Sequence, residues 1–357
     1  MKIAVLGGGH GSYAAAADLS LAGHEVRLWR RDGPALQPVV DAGSIVLKDG
    51  AGSRDVKIKL ATPDIGTALH GAALVLIASP ATAQADIARA IAAHLVDAQV
   101  VFLPPGSFGS FTMARSVREA GNRADLAWAE TGTLPYLARK HGPREVNLTS
   151  RAVRLPTGVY PGRHAQRALN LIREAYPSVH GCGDALSGAL MNAGPIIHPA
   201  LVVMNAAALQ HFEKWDIHSE GTQPAVRAVT DRLDQERIAL RQALGYGAPH
   251  YPLADHYTSD RWMYGDAHRQ LQRSGDWREP IDLHTHRYVV EDIEIGLAFL
   301  ASVARWAGLE APIAHGLLAI AGGFLGRDLR RGSRSFEALR LDSLSKAQLQ
   351  KLLHDGE

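Results

Sequence analysis

Cysteine is almost missing from this 357-residue chain: Cys182 stands alone, which excludes an intramolecular disulfide and fits a reducing compartment. An excess of either charge is missing too. The 38 Lys and Arg residues nearly cancel the 36 Asp and Glu residues, so no global field draws the chain to nucleic acid or to a membrane surface. No basic segment followed by an uncharged apolar core and a cleavage site opens the chain. The apolar stretches read as too short or too broken by glycine to span a bilayer. A cytoplasmic protein with neither a membrane nor a nucleic-acid partner is expected. Internal repeats and low-complexity tracts are absent as well.

What is present is enough apolar sequence, 46% of residues, to bury a large core, in a length that favours two domains. The segments 2–6, 25–29, 73–78 and 99–103 are short apolar runs. Helix-like stretches over 12–21 and 81–94 alternate with them. Strand–helix alternation predicts a doubly wound parallel sheet, an α/β Rossmann domain, over residues 1–184. Candidate strands at 126–129, 145–149 and 152–156 extend this sheet, with an antiparallel edge. From residue 185 to 357 the texture is helical, with long periodic segments at 199–213, 223–244 and 289–307, which predicts an all-α domain. A final short amphipathic helix follows Ser345 as N-cap, with Leu349, Leu352 and Leu353 on its apolar side. Oligomeric state is left open, because neither a heptad nor an exposed apolar face is identifiable.

The glycine cluster Gly7-Gly8-Gly9-His10-Gly11-Ser12 lies between the first strand and the first helix, the context in which such a run gains chemical meaning. Gly7 allows the tight turn, and Gly9 lets backbone approach a pyrophosphate. The helix N-terminus then offers unpaired N–H groups to the anion. Ser12 occupies the third motif position, where close helix–strand packing is expected, and Gly11 adds room. At the end of the second strand, where an acid would hold the 2′-hydroxyl of NAD, stand Trp29, Arg30 and Arg31. Arginines there suit a 2′-phosphate, which favours NADP(H) over NAD(H); the bland alternative is a solvated strand end. Ligands of open α/β sheets bind beyond the carboxyl ends of the strands. The loops ASPATAQ, with Pro80, and LPPGSFGS are therefore expected to line the cofactor. The following AETGTLPYLARKHGP adds Glu130 to the cofactor-binding candidates, although periodicity assigns it no role.

In the helical half, His198 precedes Pro199, a favoured first helical residue, so it is expected at a helix N-cap where the dipole disfavours imidazolium. Arg287, Glu291 and Asp292 come near one another if their segment is helical. A core histidine and a surface ion pair would account for each feature taken singly. Asn192 is a candidate for orienting substrate or nicotinamide, with a capping role before Pro195 as the alternative. Between the helices, 245–280 is a long loop in which His250, His256, Tyr257, Trp262, Tyr264 and Trp277 either wall a substrate or, the favoured reading, pack the loop down. His284-x-His286 and a total of 17 histidines raise the question of a metal. No Cys/His/carboxylate set has zinc-site spacing, and none is expected.

Taken in order, the glycine cluster with Tyr13 and its Ala run, AETGTLPYLAR, MNAGPIIHP, and HRYVVEDIEIGL followed by ARWAGLEAPI resemble the opine dehydrogenase family of the octopine and nopaline type. The resemblance covers nearly the whole chain. It implies a Rossmann domain followed by an all-helical substrate domain. The implied activity is NAD(P)H-dependent condensation of an amino acid or other amine with an α-keto acid, through an imine, to a secondary amine. It also implies His198 and Asp292 as a catalytic pair and Arg287 as the grip on a substrate carboxylate. Two other readings are kept: a keto- or hydroxyacid reductase of 6-phosphogluconate dehydrogenase-like architecture, and a non-catalytic NADP(H)-sensing protein.

Overall fold

The computed structural model describes residues 1–268, 270–271 and 280–357; Trp277 lies outside them. The chain divides into two compact units, Met1–Ala189 with Leu352–Glu357, and Leu190–Lys351. The change of unit thus falls slightly later than texture implied, and the chain's end returns to the first unit.

Among the described residues, twelve strands form in chain order: β1 (Lys2–Leu6), β2 (Glu25–Trp29), β3 (Ser44–Asp49), β4 (Gly52–Lys57), β5 (Leu60–Thr62), β6 (Leu74–Ile77), β7 (Val100–Leu103), β8 (Ala127–Thr131), β9 (Tyr136–Lys140), β10 (Glu145–Arg151), β11 (Leu155–Tyr160) and β12 (Val179–Asp184). Eight make one sheet in the order β12-β11-β8-β7-β6-β1-β2-β5. Its central strands β6 and β7, and β1 from Ile3 to Leu6, are apolar and closed to solvent, as parallel strands covered on both faces must be. The antiparallel edge that the sequence predicted is two strands wide: β11 runs antiparallel to β8, and the outermost β12 runs parallel to β11.

Four strands form a second sheet, β4-β3-β10-β9. The expectation that 145–149 continues the main sheet is corrected here: β10 pairs with β3 and β9. The second sheet explains the alanine run of helix α1 (His10–Leu21). Gly11, Ser12, Tyr13, Ala14, Ala15, Ala16, Ala17 and Leu19 are all buried. A helix buried around most of its circumference has no polar face to show in sequence, and α1 touches β9, β10 and β3 besides the main-sheet strands β1 and β2. Arg151 of β10 pins this arrangement by bonding Asp18 of α1 and Asp49 of β3 at 2.6 and 3.1 Å.

The second unit is built of helices, chiefly Gly194–His211, Pro224–Ala243, a π-helix over Tyr288–Leu297 that continues as the α-helix Ala298–Trp306, and Pro312–Leu325. Glu236 of the 224–243 helix accepts the N–H groups of Ile313 and Ala314, at 2.7 and 3.0 Å, and so caps the 312–325 helix. The last helix, Lys346–Asp355, opens with a reciprocal capping box between Ser345 and Gln348. The apolar segment Ala185–His211 is long enough to cross a bilayer, contrary to the reading from sequence. Yet 78% of its apolar window is buried within the protein, as in a core helix.

Candidate active site

The second unit brings together two residues 94 positions apart: His198 Nδ1 lies 2.6 Å from Asp292 Oδ2. His198 is not the helix cap that its proline neighbour predicted. Pro195 occupies the first turn of the Gly194–His211 helix, so the helix starts earlier and His198 stands inside it, with Pro199 also internal. Pro195 is in a position where a missing N–H costs nothing. Pro199 removes the bond that would have gone to the carbonyl of Pro195. The histidine's state is therefore governed by its carboxylate partner, not by a helix terminus.

Asp292 reaches His198 because two glycines let the helices approach. A Cβ on Gly194 would stand 2.2 Å from Asp292 Oδ1, and one on Gly296 would stand 2.2 Å from Pro195 Cγ. Neither glycine was assigned a role from sequence. The π-winding matters equally. Residues 287 and 292 are five apart, off the i, i+3 and i+4 neighbourhood of an α-helix, whereas a π-turn closes on i+5. The Arg287 charge consequently acts on Asp292. Burial pushes the Asp292 carboxyl up to about 7, with Arg287 and then His286 pulling it back.

The imidazole plane is fixed from its face as well as its edge. The Tyr288 ring stacks on His198 at 3.6 Å between centroids and 12° between planes. Its hydroxyl lies 3.0 Å from His218 Nε2, and the His218 ring meets His198 edge-on. His218 is held by a tight turn in which Asp216 accepts the N–H groups of residues 218 and 219, each at 3.0 Å. Tyr288 stood in a quoted motif without a role, and His218 had no signal in the sequence. Arg287 lies over the outer part of this cluster, 4.9 Å from the Tyr288 ring centroid and 3.9 Å from Glu291 Oε2, with 42% of its side chain exposed. Asn192 is buried, and its Oδ1 accepts the N–H of Gly194 at 3.0 Å, the capping alternative of the sequence reading.

Within the loop, His256, Trp262 and Tyr264 are buried. The His256 ring contacts Tyr257, Trp262 and His268. The His250 carbonyl accepts from Arg237 at 2.8 Å. Among the described residues, these rings pack on one another, and the His250 carbonyl ties the start of the segment to the Pro224–Ala243 helix.

In the first unit the glycine loop follows β1. Gly7 has φ +132°, which a side chain would strain, and its N–H donates to the Trp29 carbonyl at 2.9 Å. Gly9 caps α1 with ordinary extended backbone, and a Cβ there would meet nothing within 4 Å. The open space over a helix N-terminus whose first turn holds no acid is a cradle of the shape and polarity a pyrophosphate requires. Gly11 and Ser12 both pack closely. A Cβ at Gly11 would stand 2.7 Å from Leu134 and 3.2 Å from Ala78, while Ser12 is buried with its hydroxyl 3.4 Å from the Ala78 carbonyl.

Arg30 folds back over the loop, its Cδ and Nε 2.6 Å from where a Gly8 Cβ would be. It also lies 3.6 Å from Asp32, which caps the helix after β2 by accepting the Ala35 N–H at 3.0 Å. Arg31 is 63% exposed and 3.6 Å from Asp86. Pro80 follows β6 at the start of a single 3₁₀ turn. Glu130 differs from its predicted role. It is fully buried, and its carboxylate accepts the N–H groups of Phe108 and Ser110 at 2.8 and 3.3 Å, and the Ser110 hydroxyl. Those bonds cap the helix Gly109–Glu119, and Gly106 is needed to make room, since its Cβ would fall 2.3 Å from Glu130 Oε2.

The halves of the chain match two family models: residues 3–150 match ketopantoate reductase PanE/ApbA, and residues 181–325 match the alpha-helical domain of NAD/NADP octopine/nopaline dehydrogenase. An opine dehydrogenase of Arthrobacter sp. (strain 1C) is 28% identical over 351 residues, 96% of each chain. An octopine dehydrogenase solved with NADH and agmatine superposes with a TM-score of 0.74 at 18% identity, covering 100% of this chain and 98% of that one. A yersinopine dehydrogenase solved with NADP+ gives 0.68 at 15% identity, covering 99% and 97%. The helical unit and the full-length relatives point to the opine dehydrogenase family, to which the chain is similar over nearly its whole length, while the glycine-loop unit matches the ketopantoate reductase model.

Proposed function

We propose that the protein is an oxidoreductase acting on CH–NH bonds that condenses an amino acid or other amine with an α-keto acid and reduces the resulting imine to an opine-type secondary amine. The observation that carries this reading is the buried His198–Asp292 contact at 2.6 Å. When bound, the nicotinamide supplies the hydride. The chain holds and moves the proton. With Nδ1 committed to Asp292, Nε2 is the ring atom that exchanges a proton with the amine or carbinolamine. The carboxylate fixes the tautomer and stabilises the charged ring. Because burial raises the Asp292 carboxyl to about 7, the acid beside His198 is poised to hold or release a proton near neutrality. Arg287, with its exposed guanidinium edge, binds a substrate carboxylate. Asn192 keeps the start of the His198 helix in register and borders the pair.

The cofactor reading is NADP(H) in preference to NAD(H). Gly7, Gly9 and the start of α1 take the pyrophosphate, Gly11 and Ser12 seat the helix, and the Pro80 turn borders the loop. Arg30, folded over Gly8, and Arg31 beyond it supply the positive charge a 2′-phosphate needs. Among solved relatives, a yersinopine dehydrogenase carries NADP+ and an octopine dehydrogenase carries NADH, so local charge is what supports the choice.

The match of residues 3–150 to ketopantoate reductase favours a second reading, reduction of a keto acid without an amine. Incubation of the protein with NADPH and pyruvate, with and without a panel of amino acids, separates the two. Amine-dependent NADPH oxidation with formation of a secondary amine is expected. Oxidation at one rate whatever amine is present would replace opine formation with simple keto reduction.

A further inference from the structure

Lys140 ends β9, the edge strand of the small sheet, and the sequence gives it no role. Its backbone N–H donates to His10 Nδ1 at 2.8 Å, which ties it to the first residue of α1. Its ammonium lies 3.9 Å from the centroid of the Tyr13 ring, one turn further along the same helix. The small sheet therefore carries a cation to the very end of α1 where the glycine loop turns. Arg30 comes from the end of β2 and lies over Gly8 of the same loop.

Two cations held in one half-buried place repel each other, and the protein gains nothing from the arrangement unless an anion enters. The mutual effect is visible: burial and then the Arg30 charge hold the Lys140 ammonium below the ordinary lysine range. Arg30 has Asp32 as a distant counter-ion, at 3.6 Å. Among the described residues, Lys140 has no acidic partner, only the face of Tyr13. A cation resting on an aromatic face, close to a helix N-terminus and a second cation, is a site prepared for a compact dianion.

We propose that Lys140 and Arg30 together form a clamp for the 2′-phosphate of the cofactor's adenosine, with Lys140 the residue that decides between the phosphorylated and unphosphorylated nucleotide. The inference rests on the NADP(H) reading and gives it a second, independent residue from a different sheet. Arg30 supplies a planar fork from β2, and Lys140 supplies a point charge from β9. A ribose bearing only a hydroxyl would leave Lys140 with no anion and Arg30 with only the distant Asp32, so the site selects against NAD(H) as well as for NADP(H).

The test is equilibrium binding, by calorimetry, of 2′,5′-ADP and 5′-AMP to the full chain and to the Lys140→Met and Lys140→Arg variants. Melting temperature is recorded for each to establish folding. The wild type is expected to bind 2′,5′-ADP more tightly than 5′-AMP. Lys140→Met should lose roughly tenfold or more of that preference while keeping its 5′-AMP affinity. Lys140→Arg should retain most of it. A wild type that favours 2′,5′-ADP with the preference unchanged in Lys140→Met would overturn the Lys140 assignment and leave the NADP(H) reading standing. Equal binding of the two nucleotides by the wild type would overturn both. A Lys140→Met variant that loses affinity for both nucleotides in proportion would assign Lys140 to the loop's architecture and also overturn the proposal.

Discussion

The two units assemble function in opposite ways. In the first, Gly7, Gly9 and the start of α1 are neighbours in sequence, and a strand followed by a helix places them without help from distant contacts. In the second, His198 and Asp292 meet only because two helices cross closely at Gly194 and Gly296 and because one of them is wound as a π-helix. A local motif tolerates changes elsewhere in its unit. A packed pair depends on the small residues that let its helices touch. Substitutions in the two places should therefore fail differently, the first in cofactor affinity and the second in turnover.

The largest effect is expected at the pair. His198→Ala should lower kcat roughly 10²–10⁴-fold, the usual worth of positioned proton transfer, with 2′,5′-ADP binding unchanged. Parallel loss of nucleotide binding would erase the division between the units. Gly194→Ala comes next. Its methyl would fall 2.2 Å from Asp292 Oδ1, and overpacking of this kind costs about 1–3 kcal/mol. Both melting temperature and kcat should fall, and an unchanged kcat would show that the pair does not need this close crossing.

The glycine loop offers a sharper contrast within one motif. Gly7→Ala forces a side chain into φ +132° beside Ser12 and Ser79, at a cost of about 1–3 kcal/mol, and should lower the melting temperature. Gly9→Ala meets nothing within 4 Å and should leave stability untouched while weakening nucleotide binding. Thermal melts and calorimetry of the two variants decide whether Gly9 is kept for the ligand. Equal destabilisation by both would assign it to the fold.

The effect confined to stability and to acid pH concerns the buried loop histidine His256. His256 is pushed down to about 3 by burial first, then by His268, His218 and Arg227. Between its unfolded pKa near 6.5 and its native value the unfolded chain takes up the proton and the native one does not. Stability is therefore full above pH 6.5 and is lost as pH falls through that window, by at most about 1.4 kcal/mol per pH unit. Denaturant titrations from pH 7 to 4 should show this slope, and His256→Phe should flatten it.

Legibility in the sequence followed the same division. The strands β1, β2, β6 and β7 and the glycine loop were readable because each signal spans a few consecutive residues. The small sheet was not. Its strand β9 is buried along nearly its whole length and shows no alternation, and although β9–β10 and β3–β4 are short hairpins, nothing local shows that β10 pairs with the distant β3. With it went the reason for the alanine run in α1 and the place of Lys140. The residues His198 and Asp292 were named through the resemblance, but their contact depends on Gly194 and Gly296, which look like ordinary helix-breaking residues. His198 was misplaced at a cap because two prolines four apart compete for one helix start, and sequence does not show which one wins. Glu130 was a cofactor-binding candidate to which periodicity assigned no role; in the fold its carboxylate binds the start of the helix Gly109–Glu119.

The central claim is that His198 and Asp292 work as one proton-handling unit in amine-dependent reduction. Its most direct test is the pH dependence of amine-dependent NADPH oxidation, under saturating substrates, in the wild type and in Asp292→Asn. The wild type should lose rate as pH rises and the pair gives up its proton. The variant should retain its nucleotide affinity, turn over roughly 10²–10⁴-fold more slowly and no longer show that alkaline limb. An Asp292→Asn protein with wild-type turnover and an unaltered pH profile would contradict the account.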